Sequence, residues 1–502
     1  MNLSKSKYTT TWQCPKALWM KKYKPEELVL DDAILARMKT GNEVGDLAMG
    51  IFGDYVDVTE YTDGKIDLLK MCNRTVIEMS KGTKNICEAS FEYDGLYCAV
   101  DILRKEEGGY AIYEVKSSTH DEKDVYFADI AYQKYVLEHC NINVTGTYLV
   151  VINNEYIFDG TMKLNELFKI TDVKEGVNDQ SLNVEVVLKA AQKILASKEE
   201  PDIDIDIHCN KPYKCAFWKY CSRSLPVPSV FNLYRIRFSD AVKFYKEGIT
   251  TYEQLENDLR IKSPTQIKQI DYALHDKGVF IDKAIIGQFL DKCTYPLYFL
   301  DFETEQPVIP KYIGTRPYQQ IPFQYSLHYI EKEGGELKHK EFLGISGEDP
   351  RRALAKQLCE DIPFDVCTMA YNKAFECGRI RELAETFPDL ADHLLNIEKN
   401  IVDLLDPFRQ GGYYCKAMGG SFSIKSVLPA MFPNDPELDY HNLEGVHNGG
   451  EAMSIYPQIQ YMNPEDQKTA RHNLLKYCEL DTYAMVKVWK QLTELRIIGG
   501  VK

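Results

Sequence analysis

The chain has 502 residues, 44% apolar and 27% charged, which excludes a fibrous, low-complexity or disordered protein and leaves room for about two to four domains. Its formal net charge of −15 argues against broad, sequence-blind wrapping of duplex nucleic acid, although Lys16–Lys24 and Lys211–Arg223 are locally basic. No apolar leader follows Met1-Asn2-Leu3-Ser4-Lys5-Ser6-Lys7 and no apolar run reaches transmembrane length, so the fourteen cysteines point to a reduced, cytoplasmic protein with no membrane partner.

From the N-terminus, helical and strand-like patterns alternate up to about residue 225, as in an α/β domain. Asp32–Met49 predicts a helix, Phe91–Leu103 and Tyr110–Ser117 the arms of a hairpin, and Glu107-Gly108-Gly109 its turn. A helix over Val125–Cys140, a strand over Thr147–Asn153, a helix over Val184–Ser197 and a charged, extended Lys198–Ile207 follow. The prolines of Ser224-Leu225-Pro226-Val227-Pro228-Ser229 mark a linker. Residues 226–292 read as an all-helical spacer, and a third domain occupies 293–502. Within the spacer, Lys246-Glu247-Gly248-Ile249-Thr250-Thr251 loosely resembles a helix-hairpin-helix module, and a plain spacer reads equally well.

The predicted hairpin places Asp101 on one arm and Glu114 and Lys116 on the other. Residues two apart in a strand leave by the same face, so Glu114 and Lys116 share a side and Asp101 lies alongside. Two carboxylates there bind a divalent cation, and a lysine beside them positions or deprotonates a water attacking phosphorus. The other reading is a solvated cross-strand pair on an ordinary sheet, worth about 0.2–1 kcal/mol. The pattern resembles the signature of PD-(D/E)XK nucleases. Asp129 and Gln133-Lys134-Tyr135 on the next helix resemble, at shortened spacing, the Q-x-x-x-Y motif of RecB-type members, which implies a catalytic set of Lys116, Gln133 and Tyr135 with Asp101 and Glu114 as metal ligands. Gly41-Asn42-Glu43-Val44-Gly45 looks like the first-helix motif of that family. Its usual histidine ligand has no counterpart here, which leaves Glu43 and Glu88 as candidate helpers.

Cys209, Cys215 and Cys221 form C-x5-C-x5-C, and Cys14 lies in Gln13-Cys14-Pro15-Lys16-Ala17-Leu18-Trp19. One N-terminal and three later cysteines resemble the iron–sulfur nucleases of the RecB, AddB and CRISPR-adaptation type. That resemblance implies a structural 4Fe-4S cluster on Cys14, Cys209, Cys215 and Cys221, with Zn²⁺ the alternative for four thiolates. The family's usual spacing is C-x2-C-x5-C, and this chain departs from it in the first gap.

Near the start of the third domain, Asp301 and Glu303 end an apolar run and project from one strand face. Converging carboxylates repel unless a cation lies between them, so they read as half of a Mg²⁺ or Mn²⁺ site. Tyr477 and Asp481 stand one helical turn apart, and Asn372-Lys373-Ala374-Phe375-Glu376 lies between the two motifs. In that order the three resemble the DEDDy branch of the DnaQ-like 3′→5′ exonucleases. The resemblance implies that Asp301, Glu303, Glu376 and Asp481 hold two metals and that Tyr477 orients the attacking water. Glu376 stands where that family usually has aspartate. Lys425 and Arg379 are candidates to reach substrate phosphate, and Asp403 to support the second metal or to cap a turn.

The expected architecture is therefore a restriction-endonuclease-like domain and an RNase H-like (DnaQ) domain joined by a helical spacer. It looks like a family of bacterial proteins classified mainly by a domain of unknown function. The expected activity is metal-dependent phosphodiester hydrolysis, with single-stranded DNA ends favoured over RNA and two candidate active sites. The alternatives are one active site beside a binding platform, or a nucleic-acid scaffold that cuts nothing.

Overall fold

A computed structural model of the chain describes residues 3–30 and 32–497, apart from the side chains of residues 32, 33, 36, 37 and 497. Met1 and Asn2, the start of the segment read as lacking a leader, and residues 498–502, the end of the third predicted domain, lie outside the described residues. The fold is mixed α/β and divides into two compact units. The first comprises residues up to Leu225 together with Pro307–Gln319, and the second comprises Pro226–Gln306 and Gln320 onward.

The first unit is built on a seven-stranded sheet running Val56–Asp57, Asn85–Tyr93, Leu96–Glu106, Gly109–Lys116, Val144–Ile152, Phe168–Asp172, with Leu3–Ser4 added alongside Leu96–Glu106. Phe91–Leu103 is not one strand. The chain reverses at Asp94 (φ 46°) and Gly95 (φ 79°), an Asp-Gly pair that adopts the left-handed backbone a two-residue hairpin requires. The expected turn at Glu107–Gly109 joins the next pair. Gly109–Lys116 and Val144–Ile152 are parallel, connected by the helix Asp124–His139. That helix buries Val125, Ala128, Ala131, Tyr132 and Val136 against one sheet face, and its polar residues Asp129 and Gln133 are buried with them. Val44, Ala48, Cys87, Ile102, Val115 and Val150 form the core on the other face, which Val308 from the 307–319 excursion completes.

In the second unit, a five-stranded sheet runs Leu337–Leu343, Ile321–Ile330, Leu297–Glu305, Cys367–Ala370, Ile401–Asp403. The first three strands are antiparallel and the last two join in parallel. Leu297–Glu305 is flanked on both sides, which explains its continuous apolar run Leu297–Leu300. The helix Pro464–Ile497 packs against this strand and its antiparallel neighbour. The 226–292 segment, expected to be an all-helical spacer, also contains a strand: Val279–Ile281 pairs with Tyr413–Cys415 of the same unit. That pairing and the hydrogen bond from Gln269 to the Gly419 carbonyl (2.7 Å) tie the segment to the rest of the second unit.

Candidate metal centres

Each unit gathers acidic residues at one place. In the first, Glu114 is 1% exposed at the middle of the sheet and is surrounded by donors. Lys116 Nζ donates to its Oε1 (2.5 Å), Gln133 Nε2 to its Oε2 (2.7 Å), and Lys5 Nζ to both oxygens (2.9 and 3.1 Å). Lys116 also pairs with Asp129 (2.8 Å), which accepts a further 3.2 Å hydrogen bond from Gln133. Asp101 accepts the Val115 backbone N–H at 2.7 Å and lies 3.7 Å from Lys5. Glu88 interrupts the ladder between the Cys87–Ile102 and Ala89–Val100 pairs, opposite Asp101, with a φ of 55°. A glutamate in the left-handed region is uncommon, and such strain gathers at functional sites.

The electrostatics follow from these contacts. Burial disfavours ionisation of Glu114, yet Lys116 and Lys5 outweigh it and hold the carboxyl well below the usual range. Asp101, with Lys5 at 3.7 Å and the Val115 N–H, is less fully compensated, and so is Glu88. Burial and Glu114 push Asp101 up to about 6, and burial and Asp101 push Glu88 up to about 7.

The structure thus brings Asp101, Glu114, Lys116 and Gln133 together, and adds Asp129 and Lys5. Tyr135 is elsewhere: two residues beyond Gln133 it turns to another side of its helix, with its ring 4.1 Å from that of His139. Its expected catalytic place is corrected accordingly. Glu43 lies exposed on the helix Asp32–Ala48.

The four cysteines line one chamber with Lys16, Ala17, Met20 and Phe217. Cys14 ends the helix Lys5–Gln13, whose Gln13 side chain donates to the His208 and Tyr213 carbonyls at 2.8 Å each, locking the N-terminal helix onto the loop of Cys209 and Cys215. None forms a disulfide. Burial raises all four thiols, Cys209 to about 12. The donor set fits the expected 4Fe-4S cluster or Zn²⁺. Among the described residues, the ligand atoms that gather within 4.8 Å of one another are those of Asp301, Glu303 and Asp481, and no three of the cysteine sulfurs come that close together.

That second acidic group is in the other unit. Asp301 and Glu303 lie opposite Ser326 and Gln324, and the register slips immediately after Glu303, where Thr304 meets Pro322, a residue with no N–H for the ladder. Asp481 enters from the long helix. Asn372, at φ 65°, donates its backbone N–H to Asp403 (2.8 Å), and this turn starts the helix Ala374–Thr386 that carries Glu376 inward. Glu376 is 2% exposed, and its Oε2 has no hydrogen-bond partner. Asp403 also accepts the Leu405 N–H (3.0 Å), so it holds a turn.

Among the described residues, no lysine or arginine lies within ion-pair distance of Asp301, Glu303, Glu376 or Asp481; Lys425 acts on three of them only at longer range, and Arg409 pairs with Asp403 (3.8 Å). Burial and then Asp481, Glu376 and Glu303 raise Asp301 far above the carboxylate range. Burial and Asp481 bring Glu303 to about 8, and burial brings Glu376 to about 8. Asp481 is raised less, to about 6, because hydrogen bonds from Tyr440 and Tyr477 offset its burial. Tyr440 donates to Asp481 at 2.6 Å and was not foreseeable from any motif. Its ring also lines a cavity of about 520 Å³ with Lys425, Leu428, Phe432, His441 and His447. Arg379, a candidate phosphate contact, instead pairs with Glu382 and Gln320. A Cβ at Gly449 would stand 3.4 Å from Glu303 Oε2, so the glycine leaves the approach to that oxygen open.

A family model described as "Domain of unknown function (DUF2779)" matches residues 298–423, which include Asp301, Glu303 and Glu376 but not Asp481. The chain is 24% identical, over 444 positions, to an uncharacterized protein, UU173, of Ureaplasma parvum serovar 3 (strain ATCC 700970). The match covers 77% of this chain and spans 60% of that relative's length.

Proposed function

We propose that the protein is a metal-dependent nuclease whose principal active site is the Asp301, Glu303, Glu376 and Asp481 cluster. The observation that carries this reading is the approach of three ligand atoms within 4.8 Å, on buried Glu303 and half-buried Asp301 and Asp481, with no ion-pair partner among the described residues and with the unpartnered oxygen of buried Glu376 in the same unit. Such a group is costly as ionised carboxylates and stable around Mg²⁺ or Mn²⁺. A metal bound there supplies charge for the phosphodiester's attacking and leaving oxygens. Tyr477, buried one turn from Asp481, orients the water, and the 520 Å³ cavity beside Tyr440 is of ligand-pocket size. The mixed sheet with its central Asp301 strand fits the RNase H-like expectation.

The first unit supports a second, PD-(D/E)XK-type site, with Asp101 and Glu114 as ligands and Lys116 beside them, and the four cysteines as a structural metal clasp. Single-stranded DNA ends are the favoured substrate, ahead of RNA, and the protein acts in the cytoplasm. One observation favours a binding platform instead: Lys5 and Lys116 already neutralise Glu114.

The test is digestion of single-stranded DNA and RNA, labelled separately at each end, with Mg²⁺ or Mn²⁺. Wild type is compared with Asp301→Ala, Lys116→Ala and the double variant. If each single variant loses a different product ladder, both sites cut. If Asp301→Ala alone abolishes cleavage, the first unit is a platform. A wild type indistinguishable from the double variant on every substrate sinks the nuclease reading.

A further inference from the structure

The acidic site of the first unit contains a cation that no motif assigned. We propose that Lys5 is a resident competitor for the divalent metal there, so that metal enters only as the Lys5 ammonium leaves. The proposal rests on reading Asp101 and Glu114 as metal ligands.

The geometry is that of a substitute ion. One atom, Lys5 Nζ, lies 2.9 and 3.1 Å from the two Glu114 oxygens, 3.7 Å from Asp101 and 3.8 Å from Asp129. A Mg²⁺ or Mn²⁺ shared by Asp101 and Glu114 would need oxygens at about 2.0–2.2 Å, in the volume this ammonium fills. The two cations exclude each other by space and by charge.

Lys116 differs. It keeps Asp129 at 2.8 Å as a partner of its own when Glu114 turns to a metal, so it can remain in place. All three acidic partners of Lys5 belong to the site itself. The Lys5 backbone is fixed, because Leu3 and Ser4 pair with Leu96 and Tyr97 and Lys5 opens the helix Lys5–Gln13. Its side chain is 25% exposed and long, so it can swing to solvent by rotamer change while the helix stays put. Occupation by Lys5 keeps Glu114 paired in the metal-free protein and makes metal binding in this unit conditional on its departure.

The test uses the full chain carrying Asp301→Ala and Asp481→Ala, which removes the other acidic cluster. Mn²⁺ binding is followed by the electron-spin signal of the free ion, and Lys5 exposure by reductive methylation read by mass spectrometry. Mn²⁺ should raise Lys5 methylation several-fold, and a further Glu114→Gln change should abolish that rise. Lys5→Met, which keeps the stem and removes the charge, should tighten Mn²⁺ binding by about 5–150-fold, the usual range of coupling between sites. The methylation arm keeps Lys5 itself, so it decides the matter even if Lys5→Met fails to fold. Binding of Mn²⁺ that depends on Glu114 but leaves methylation unchanged overturns the proposal and leaves the metal-site reading standing. No Glu114-dependent binding, with Lys5 or with Met, removes both.

Discussion

The two acidic clusters use similar side chains and are balanced in opposite ways. Glu114 is almost fully buried and ionised, because Lys5, Lys116 and Gln133 all donate to it. In the second cluster Glu303 and Glu376 are buried and Asp301 and Asp481 half-buried, tyrosine hydroxyls donate to Asp481 alone, and Glu303 and Glu376 hold their protons to about pH 8. The number of carboxylates therefore does not decide whether a site needs a metal; the counter-charge built into the fold does. In the first cluster the lysines compensate Glu114, while Asp101 and Glu88 stay raised. In the second, burial and like charge raise the carboxyls with no lysine or arginine at ion-pair distance among the described residues.

The sharpest way to break this comparison is stability. Glu114→Gln leaves two lysines facing each other without their shared anion and should cost about 3–5 kcal/mol, seen as a lower urea midpoint. Asp301→Asn in metal-free protein at pH 8 should move the midpoint the other way, because the folded state no longer has to hold a proton on a carboxyl that the unfolded chain ionises. Equal signs would refute the distinction. Activity gives the next largest effect. Asp301→Ala should lower hydrolysis by the second-unit site at least about 10²-fold, since even the outer partners of metal ligands cost 10–100-fold.

The pH dependence follows with its sign fixed. Glu303 and Glu376 have raised values in the folded state, so the stability they confer is fully present below the ordinary glutamate value of 4.5 and is lost as pH rises toward about 8. The melting temperature of metal-free protein should fall across that window, and Mg²⁺ should restore it at pH 8. A flat profile in both conditions would mean that the cluster is already compensated. The smallest effect belongs to Tyr440→Phe. Loss of the 2.6 Å hydrogen bond to Asp481 should reduce hydrolysis about tenfold and shift the rising limb of the pH–rate profile upward, because that bond lowers the Asp481 value.

Much of both clusters was legible in the sequence where ligands sit at a fixed local period. Glu114 and Lys116 leave one strand face, Asp301 and Glu303 another, and Tyr477 and Asp481 stand one helical turn apart. The Pro-rich linker likewise falls where the first unit's long segment ends, at Leu225. Other readings failed for identifiable reasons. Phe91–Leu103 is continuous in apolar character, which hid the Asp94-Gly95 reversal. Tyr135 was drawn into the site by motif spacing, although two residues along a helix turn a side chain away from Gln133.

The sequence by itself determined the α/β character, the local pairs of chemical groups and the cysteine set, because strand and helix periods are short-range properties. Only the tertiary structure decided the counter-charges. Lys5 meets Glu114 across 109 positions and Tyr440 meets Asp481 across 41, separations at which no local period carries information. Those long-range contacts neutralise Glu114 from within and give Asp481 a hydroxyl donor in place of a counter-charge.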